Sequence, residues 1–356
     1  MPRAASVVFD HLVNADPPAH PRIRFDTGCV LGGSVAGLLA ARVLANFCRH
    51  VVIVERDELI DQASRPGVPQ GRQLHVLLAA GRQWLDRWLP GFTEQAVAAG
   101  ANRITSEVKA FDGYAMAPPH RQYAMLSATR RLLESVVRTH VLARANISVK
   151  RAQATGLRYR DGAVTAVEFV DRGGVDVLPA DFVVDATGRS SRIARWVEDA
   201  GFDRPRLERL ALPIHYATAI FGATEEAAAL QADGWLSIFS PGNEVDGVCI
   251  AAAAKVAADF DRAAQAFFRL QQVVVDAAWQ SSAGGDHARL DFLTGAKIAE
   301  ATRLQRWTLD QIARAALTDR NLAELCTDVQ YLLRHPSALA HPAVLERAVV
   351  VNLTAS

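Results

Sequence analysis

The stretch that decides the fold covers residues 25–57 and reads FDTGCVLGGSVAGLLAARVLANFCRHVVIVERD. A short apolar run leads into the small-residue segment Gly32–Gly37, and the apolar segment Leu38–Ala45 that follows is typical of a helix. A second apolar run, Val51–Val54, ends in Glu55. This order predicts a strand, a helix and a parallel strand, the βαβ unit that binds nucleotides in α/β folds.

The small residues between the first strand and the helix predict a phosphate site. Gly32 permits a tight turn, small side chains after it let a pyrophosphate approach the backbone, and Gly37 lets the helix pack closely on the strand. The N-terminus of the helix adds unpaired N–H groups and the positive end of a dipole. The predicted contact residues are Gly32, Gly33, Ser34, Ala36 and Gly37.

Glu55 closes the second strand, where a carboxylate accepts hydrogen bonds from a ribose diol. An acid at this position favours the unphosphorylated adenosine ribose of FAD or NAD over NADP. The alternative is a tight turn in an α/β protein that binds no ligand. A strand, a helix, a second strand and a terminal acid in register favour the dinucleotide site.

Composition limits the classes of function. The 356 residues include 39 Lys and Arg and 38 Asp and Glu, so that a net charge of +1 gives no case for binding nucleic acid or anionic lipid. Cys29, Cys48, Cys249 and Cys326 show no metal or redox spacing, which favours reduced thiols in the cytoplasm. We predict no metal site and no integral membrane segment, and we expect residues 1–25 to be an unstructured leader.

Further along the chain, periodicity predicts a helix from Leu74 to Trp88, with the tryptophans at 84 and 88 in the core, and a second helix over Thr129–Val141. Short strands are expected between 147 and 170, with a hairpin turn at Asp161-Gly162. The buried run Phe182–Val184 then leads to Asp185, and a helix capped by a serine at 190 or 191 is expected to follow. More strands are expected at 212–221, 235–239 and 248–254. Helices are expected at 263–278, 299–317 and 322–333, with prolines at 336 and 342 breaking the tail.

Five segments together resemble the FAD-dependent monooxygenases of the para-hydroxybenzoate hydroxylase superfamily. They are Leu31–Gly37, Val51–Asp57, Arg65–His75, Thr129–Glu134 and Asp185–Arg189. More narrowly, the sequence is similar to a bacterial branch with a GGSxAGLLAARVL opening and an RPGVPQGRxLHxLL segment. Residues 27–200 carry the resemblance densely, and it resumes in the C-terminal segment.

The resemblance implies further residues that contact the cofactor. Arg65 and Arg72 would bring guanidinium groups over the adenosine diphosphate, where the alternative is a solvated basic loop. Arg130 matches an arginine that reaches the cofactor, where the alternative is a surface ion pair. Asp185 would anchor a turn at which the backbone approaches FAD and NAD(P)H. The residues carried over are Arg56, Arg65, Arg72, Arg130, Asp185 and Gly188; no catalytic residue is assigned, and His75 and His215 are interpreted as structural or surface histidines.

The chain departs from the family in one motif. Relatives carry a strand that ends in Gly-Asp, whose aspartate binds the ribityl chain of FAD. The Gly-Asp pair in this sequence is Gly285-Asp286, which follows a predicted helix rather than a strand. We therefore predict an internal deletion near 257–263 that removes the flavin-contacting segment.

The predicted fold class is α/β: a Rossmann-type FAD-binding domain, an interleaved and truncated β-sheet substrate domain, and a helical C-terminal tail. The FAD-binding domain is assigned to 26–104 and 120–200, the substrate sheet to 105–119 and 201–256, and the C-terminal helices to 257–356.

The resemblance implies that NAD(P)H reduces FAD and that O₂ hydroxylates or epoxidises an aromatic or olefinic small molecule. The alternatives are a flavin-dependent prenyl reductase of the same superfamily and a non-catalytic remnant that binds a dinucleotide. The oligomeric state does not follow from the sequence.

Overall fold

The computed structural model describes residues 5–59, 65, 68–111, 114–204, 234–239, a few positions between 273 and 291, and 294–354. The strands in these ranges are β1 Phe25–Leu31, β2 Cys48–Glu55, β3 Leu74–Leu77, β4 Asn102–Ile104, β5 Ser106–Phe111, β6 Tyr114–Ala115, β7 Met125–Thr129, β8 Ile147–Arg151, β9 Gln153–Arg160, β10 Ala163–Asp171, β11 Gly174–Pro179, β12 Phe182–Asp185 and β13 Gly234–Phe239. The helices are α1 Ala5–Val13, α2 Val35–Leu44, α3 Ala79–Trp88, α4 Phe92–Ala98, α5 Arg130–Leu142, α6 Ile193–Asp199, α7 Glu300–Ala315, α8 Arg320–Gln330 and α9 Pro342–Thr354. Short 3₁₀ segments span Pro69–Arg72, Gly188–Ser190 and Pro336–Ala340.

A parallel sheet of four strands, in the order β12-β1-β2-β8, forms the centre of the N-terminal region. Leu31 at the end of β1 pairs with Val54 on one side and Asp185 on the other. Because the strands are parallel, the segments that follow β1, β2 and β12 meet at one edge of the sheet. The predicted βαβ unit is confirmed, and this edge is where ligands bind in open α/β sheets.

Two apolar cores cover the faces of this sheet. On one face, α2 and α5 bury side chains such as Leu38, Leu133 and Val137 against β1 and β2. On the other face, Val167 and Phe169 of β10 pack against Cys29 of β1. Burial raises the pKa of the Cys29 thiol to about 12, so that this cysteine behaves as a core residue.

The second face is covered by an antiparallel sheet, β11-β10-β9. Its first hairpin turns at Asp161 and Gly162, both of which have positive φ values (52° and 77°). Aspartate and glycine tolerate this conformation, and the predicted hairpin is therefore confirmed.

Two further sheets flank this unit. β3, β7 and β4 form one of them, and β13 pairs in parallel with β5, which in turn pairs with β6. The pairing of β13 with β5 joins the two segments that the sequence assigns to a substrate-binding sheet. That assignment stays a prediction.

The C-terminal helices α7, α8 and α9 form a separate core around Ile312 and Leu322, which Met116 and Ala117 also contact. Asp328 of α8 is buried and accepts a hydrogen bond of 2.6 Å from the Tyr123 hydroxyl. No helix among the described residues has the length and apolar character needed to cross a membrane.

The structure corrects three sequence predictions. Residues 5–13 form α1, with Phe9 fully buried and its ring centroid 5.6 Å from that of His335, so the prediction of an unstructured leader is wrong there. Leu74–Leu77 is a strand paired with β7 rather than the start of a helix, because a distant segment supplies backbone partners that periodicity does not show. Pro342 begins α9 instead of breaking the tail, in keeping with the tolerance of the first helical turn for proline.

Other predictions have mixed outcomes. The stacked Trp84–Trp88 pair includes a buried Trp88, as expected for core residues. The predicted strands at 212–221 and 248–254, the Gly-Asp pair and the deletion point near 257–263 lie outside the described residues. So does most of the predicted helix at 263–278.

Candidate functional site

The turn after β1 explains why glycine is needed at two positions. Gly32 has a φ of +99°, and a Cβ on it would lie 2.8 Å from the Ala186 carbonyl oxygen. A Cβ on Gly37 would lie 1.8 Å from the Gly32 carbonyl oxygen, far inside van der Waals contact. The turn and the first turn of α2 are therefore packed backbone against backbone, as the sequence predicted.

The N-terminus of α2 lies open at this edge. Ser34 occupies the N-cap position but makes no side-chain hydrogen bond to the first turn of the helix. Its hydroxyl instead donates to Glu134 Oε2 at 2.7 Å. Ala36, in the first turn, is exposed. Because the first N–H groups of a helix have no partner within the helix, this end of α2 is suited to an anion.

Glu55 lies beside the turn and is buried, with 7% of its surface exposed. Its Oε2 accepts the Gly33 N–H at 2.6 Å and lies 2.8 Å from Arg65 Nη2, while Oε1 accepts the Asp57 N–H at 2.8 Å. A carboxylate offers about four acceptor positions, so these contacts leave one of them, on Oε1. The predicted ribose-binding acid is thus held in place by the turn and by an arginine.

Arg65 is buried and bridges two carboxylates. Its guanidinium contacts Glu55 on one side, forms a close ion pair with Glu134 on the other, and donates to the Gly33 carbonyl oxygen at 3.3 Å. The sequence predicted Arg65 over the cofactor phosphates or in a solvated loop. The structure places it inside the wall of the site, with only 5% of its side chain exposed.

Arg130 is the more accessible arginine of the cluster, with 26% of its side chain exposed. It begins α5, and its Nη2 lies 3.4 Å from Ser34 Oγ. Its buried Nε has no hydrogen-bond partner among the described residues. Burial lowers the pKa of Arg130, the nearby Glu134 opposes this effect, and Arg65 adds to it. A cation in the first turn of a helix is also disfavoured by the helix dipole. An anionic ligand would offset this dipole and would give the unpartnered Nε an acceptor.

The turn after β12 forms the third side of the edge. Asp185 is buried and accepts hydrogen bonds from the Thr187 N–H at 2.9 Å, the Thr187 hydroxyl at 2.6 Å and the Ser191 hydroxyl. Gly188 follows with a φ of +68°. The N-cap residue of α6 is Arg192 and not a serine, so the predicted serine cap is wrong, although the Ser191 hydroxyl accepts the Ile193 N–H at 3.2 Å. Asp185 thus anchors this turn.

Two predicted site residues are less informative. Arg56 is exposed beside Glu55, and its Nε lies 4.0 Å from Asp57 Oδ1. The backbone of Arg72 lies in the 3₁₀ segment that precedes β3, and the structure describes only this backbone and not the Arg72 side chain.

Sequence reasoning missed Glu134 and Arg138. Glu134 is 3% exposed and accepts a hydrogen bond of 3.0 Å from Arg138 Nη2. A signal was present, because Arg130, Glu134 and Arg138 recur at intervals of four residues and therefore share one face of α5. That Arg65 completes this cluster is visible only in the structure.

The arrangement fits an adenine dinucleotide. Glycines leave room for the backbone to approach a diphosphate, the end of α2 is not capped by Ser34, and Arg130 holds a buried donor without a partner. Glu55 keeps one acceptor position for a ribose hydroxyl. Among the described residues no group of His, Cys, Asp and Glu is arranged to hold a metal ion.

Comparison with known proteins supports this interpretation. The family described as FAD binding domain matches residues 26–210, just over half of the chain. Protein Rv3254 of Mycobacterium tuberculosis (strain ATCC 25618 / H37Rv) is 34% identical over an alignment of 212 residues, and the match covers 55% of this chain and 45% of that protein. The chain thus spans less than half the length of this relative.

Solved structures show a more distant similarity. The p-nitrophenol 4-monooxygenase of Pseudomonas putida has a TM-score of 0.39 and 19% identity, over 49% of this chain and 44% of that one. The 2-methyl-3-hydroxypyridine-5-carboxylic acid oxygenase has a TM-score of 0.34 and 20% identity, over 48% of this chain and 41% of that one.

The family match covers β1, α2, β2, α5 and β12, and with them every residue of the site built above. The branch suggested by the sequence stays a prediction. The chain belongs to the FAD binding domain family, whose model matches residues 26–210.

Proposed function

We propose that this protein binds FAD, with the adenosine ribose at Glu55 and the diphosphate at the N-terminus of α2. The observation that carries the proposal is the short hydrogen bond from the Gly33 N–H to Glu55 Oε2, at 2.6 Å. It holds the predicted phosphate turn and the predicted ribose acid together as one site. Gly32, Gly33, Ser34, Ala36 and Gly37 would line the diphosphate, with Arg130 facing it and Asp185 anchoring the neighbouring turn.

We further propose an oxidoreductase of the monooxygenase type. When bound, FAD would take a hydride from NAD(P)H and use O₂ to hydroxylate or epoxidise an aromatic or olefinic small molecule. The residues of this chain would bind and orient the adenosine half of the cofactor. A prenyl reductase that uses the same cofactor is an alternative with the same binding residues, and cytoplasmic location is part of the proposal.

A second candidate is a non-catalytic protein that binds a dinucleotide. It is favoured by one observation, the lack in the sequence of a strand-terminal Gly-Asp motif for the ribityl chain. The two candidates differ in NAD(P)H oxidation by the FAD-loaded chain. An enzyme oxidises NAD(P)H, with peroxide released when no substrate is present, whereas the binding protein does not.

Replacement of exposed Ala36 tests the site itself. Ala36→Glu puts a negative charge where the diphosphate would lie, and an acid in a first helical turn does not destabilise the helix. We expect FAD affinity, measured by quenching of flavin fluorescence, to fall at least about tenfold. Ala36→Gln is the matched control, because it adds the same bulk without charge, and it should lose much less affinity. Equal affinity of both variants and the parent chain would overturn the proposed site.

A further inference from the structure

We infer that Glu134 is a positioning residue for the diphosphate, a role that rests on the proposed function. Its carboxylate lies at the meeting point of three segments: the N-terminus of α2, the loop that carries Arg65, and α5. Being 3% exposed, it acts on a ligand through the groups that it holds rather than by touching it.

The hydrogen bonds of Glu134 set the direction of the Ser34 hydroxyl. Oε1 is occupied by Arg138 and Arg65, so Oε2 is the oxygen that accepts from Ser34, at 2.7 Å. Because the serine hydrogen points to Glu134, the lone pairs of its oxygen are left for Arg130, whose Nη2 lies 3.4 Å away. The same Oε2 lies 3.9 Å from Arg130 Nε. Glu134 therefore orients both groups that flank the N-terminus of α2.

Arg65 and Arg130 play different parts in this arrangement. Arg65 is enclosed between Glu55 and Glu134, so that two carboxylates neutralise its charge. Arg130 approaches one carboxylate at a longer distance and keeps an unpartnered buried donor. Arg65 Nε also lacks a hydrogen-bond partner in the described part of the chain, but only 5% of the Arg65 side chain is exposed, against 26% for Arg130. Arg130 is therefore the arginine that an anion can reach, and Glu134 fixes its position.

Glu134→Gln distinguishes the effect of positioning Ser34 and Arg130 from the effect of the net charge of the site. With Arg65 and Arg138 facing the amide oxygen, the amide nitrogen would face Ser34 and donate to its oxygen, which reverses the hydrogen bond and competes with Arg130. The substitution also makes the site more positive by one charge, so charge alone predicts tighter binding of a diphosphate. Positioning predicts weaker binding, and the two effects differ in sign.

The measurement compares ADP with adenosine as competitors of FAD. Loss of folded protein raises both apparent Kd values by the same factor, so the ratio of the adenosine Kd to the ADP Kd reports the phosphate contacts alone. We expect this ratio to fall about tenfold in Glu134→Gln, as for the loss of a charge-assisted hydrogen bond. An unchanged ratio, which a purely structural role predicts, or a higher ratio, which charge alone predicts, would overturn the inference.

Asp328→Asn is the matched control, because Asp328 is also a buried carboxylate bonded to an arginine, but it lies on α8. It should lower stability without changing the ratio. If Glu134→Gln does not fold, Glu134→Asp keeps the charge but withdraws it by one methylene, and the ratio should still fall; an unchanged ratio there overturns the inference. A parent chain that binds neither FAD nor ADP would refute the proposed function, and with it this role.

Discussion

Two buried carboxylates, Glu134 in the N-terminal region and Asp328 among the C-terminal helices, have similar burial and different surroundings. Glu134 is bonded to Ser34, Arg65 and Arg138 at the open edge of the parallel sheet. Asp328 accepts from Tyr123 and Arg121, and Arg334 Nε lies 3.8 Å away. Burial of a charge requires partners in both places.

The difference lies in what the partners face. Around Glu134 they lead to a glycine turn, an open helix N-terminus and a second carboxylate, all groups suited to a dinucleotide. Around Asp328 they join α8 to the segment before β7, and Tyr123 packs edge-on against Tyr331 with ring centroids 5.3 Å apart. We therefore expect changes near Glu134 to affect ligand binding and changes near Asp328 to affect stability alone.

The largest effect is expected from Gly37→Ala, in the N-terminal region that contains Glu134. Its Cβ would meet the Gly32 carbonyl oxygen at 1.8 Å, and that oxygen cannot withdraw without moving the glycine turn after β1. We expect a loss of about 3 kcal/mol in the free energy of unfolding together with loss of FAD binding. Gly91→Ala is the control: its φ is +82° but nothing lies near its Cβ, so it should cost about 1 kcal/mol of strain and leave FAD binding intact. Equal losses in urea unfolding would contradict the steric argument.

An intermediate effect is expected from Tyr123→Phe, which tests the surroundings of Asp328. It removes the hydroxyl bonded to Asp328 and should cost about 1 kcal/mol, with FAD affinity unchanged. Tyr159→Phe provides a matched control, because the buried Tyr159 hydroxyl has no hydrogen-bond partner among the described residues. Its removal should change stability by less than about 0.5 kcal/mol. A change in FAD affinity in Tyr123→Phe would show that the two regions are coupled.

The smallest effect at neutral pH is expected from Asp319→Asn, at the start of α8. Burial alone would raise the pKa of Asp319, but hydrogen bonds from Arg347 and from the N–H groups of Leu322 and Asn321 outweigh it and lower the pKa below 3.8. Because the pKa is lowered in the folded state, the ionised carboxylate stabilises the fold above pH 3.8, and this contribution is lost as the pH falls through the folded-state value.

Asparagine keeps the helix cap but not the ion pair with Arg347, so the variant should be less stable than the parent at pH 7 by about 0.5 kcal/mol, and the difference should vanish in acid. The parent chain should lose stability more steeply than Asp319→Asn on acidification below about pH 5, as followed by thermal unfolding. Parallel pH profiles for the two proteins would contradict the assignment.

Local pattern predicted the parts of the fold that depend on neighbouring residues. The helix over Thr129–Val141 is observed as α5 over Arg130–Leu142, with the Thr129 hydroxyl accepting from Leu132 N–H. The run before Glu55 is observed as β2. In both, the apolar spacing and the terminal residue carry the information within a few positions.

Elements that depend on distant partners were not predicted. β3 has the composition of a helix start but pairs with β7, about 50 residues further along the chain. Residues 1–25 are rich in polar residues and proline, which suggested an unstructured segment. Phe9 of α1 is nevertheless buried against His335, more than 300 residues further along the chain. Such pairings override local preference because they remove apolar surface and backbone groups from water.

The sequence by itself determined the tight glycine turn after the first strand and the acid at the end of the second strand, because glycine spacing and a strand-terminal carboxylate are local requirements of a βαβ unit. Only the tertiary structure decided which arginine is accessible at this edge of the sheet. Residues 34, 55, 65 and 134 are distant in sequence, and packing of α2 and α5 against the sheet brings their charged and polar groups within hydrogen-bond distance. At such short range each buried charge is neutralised by its nearest partner, so Arg65 is enclosed by two carboxylates while Arg130 stays the more exposed arginine.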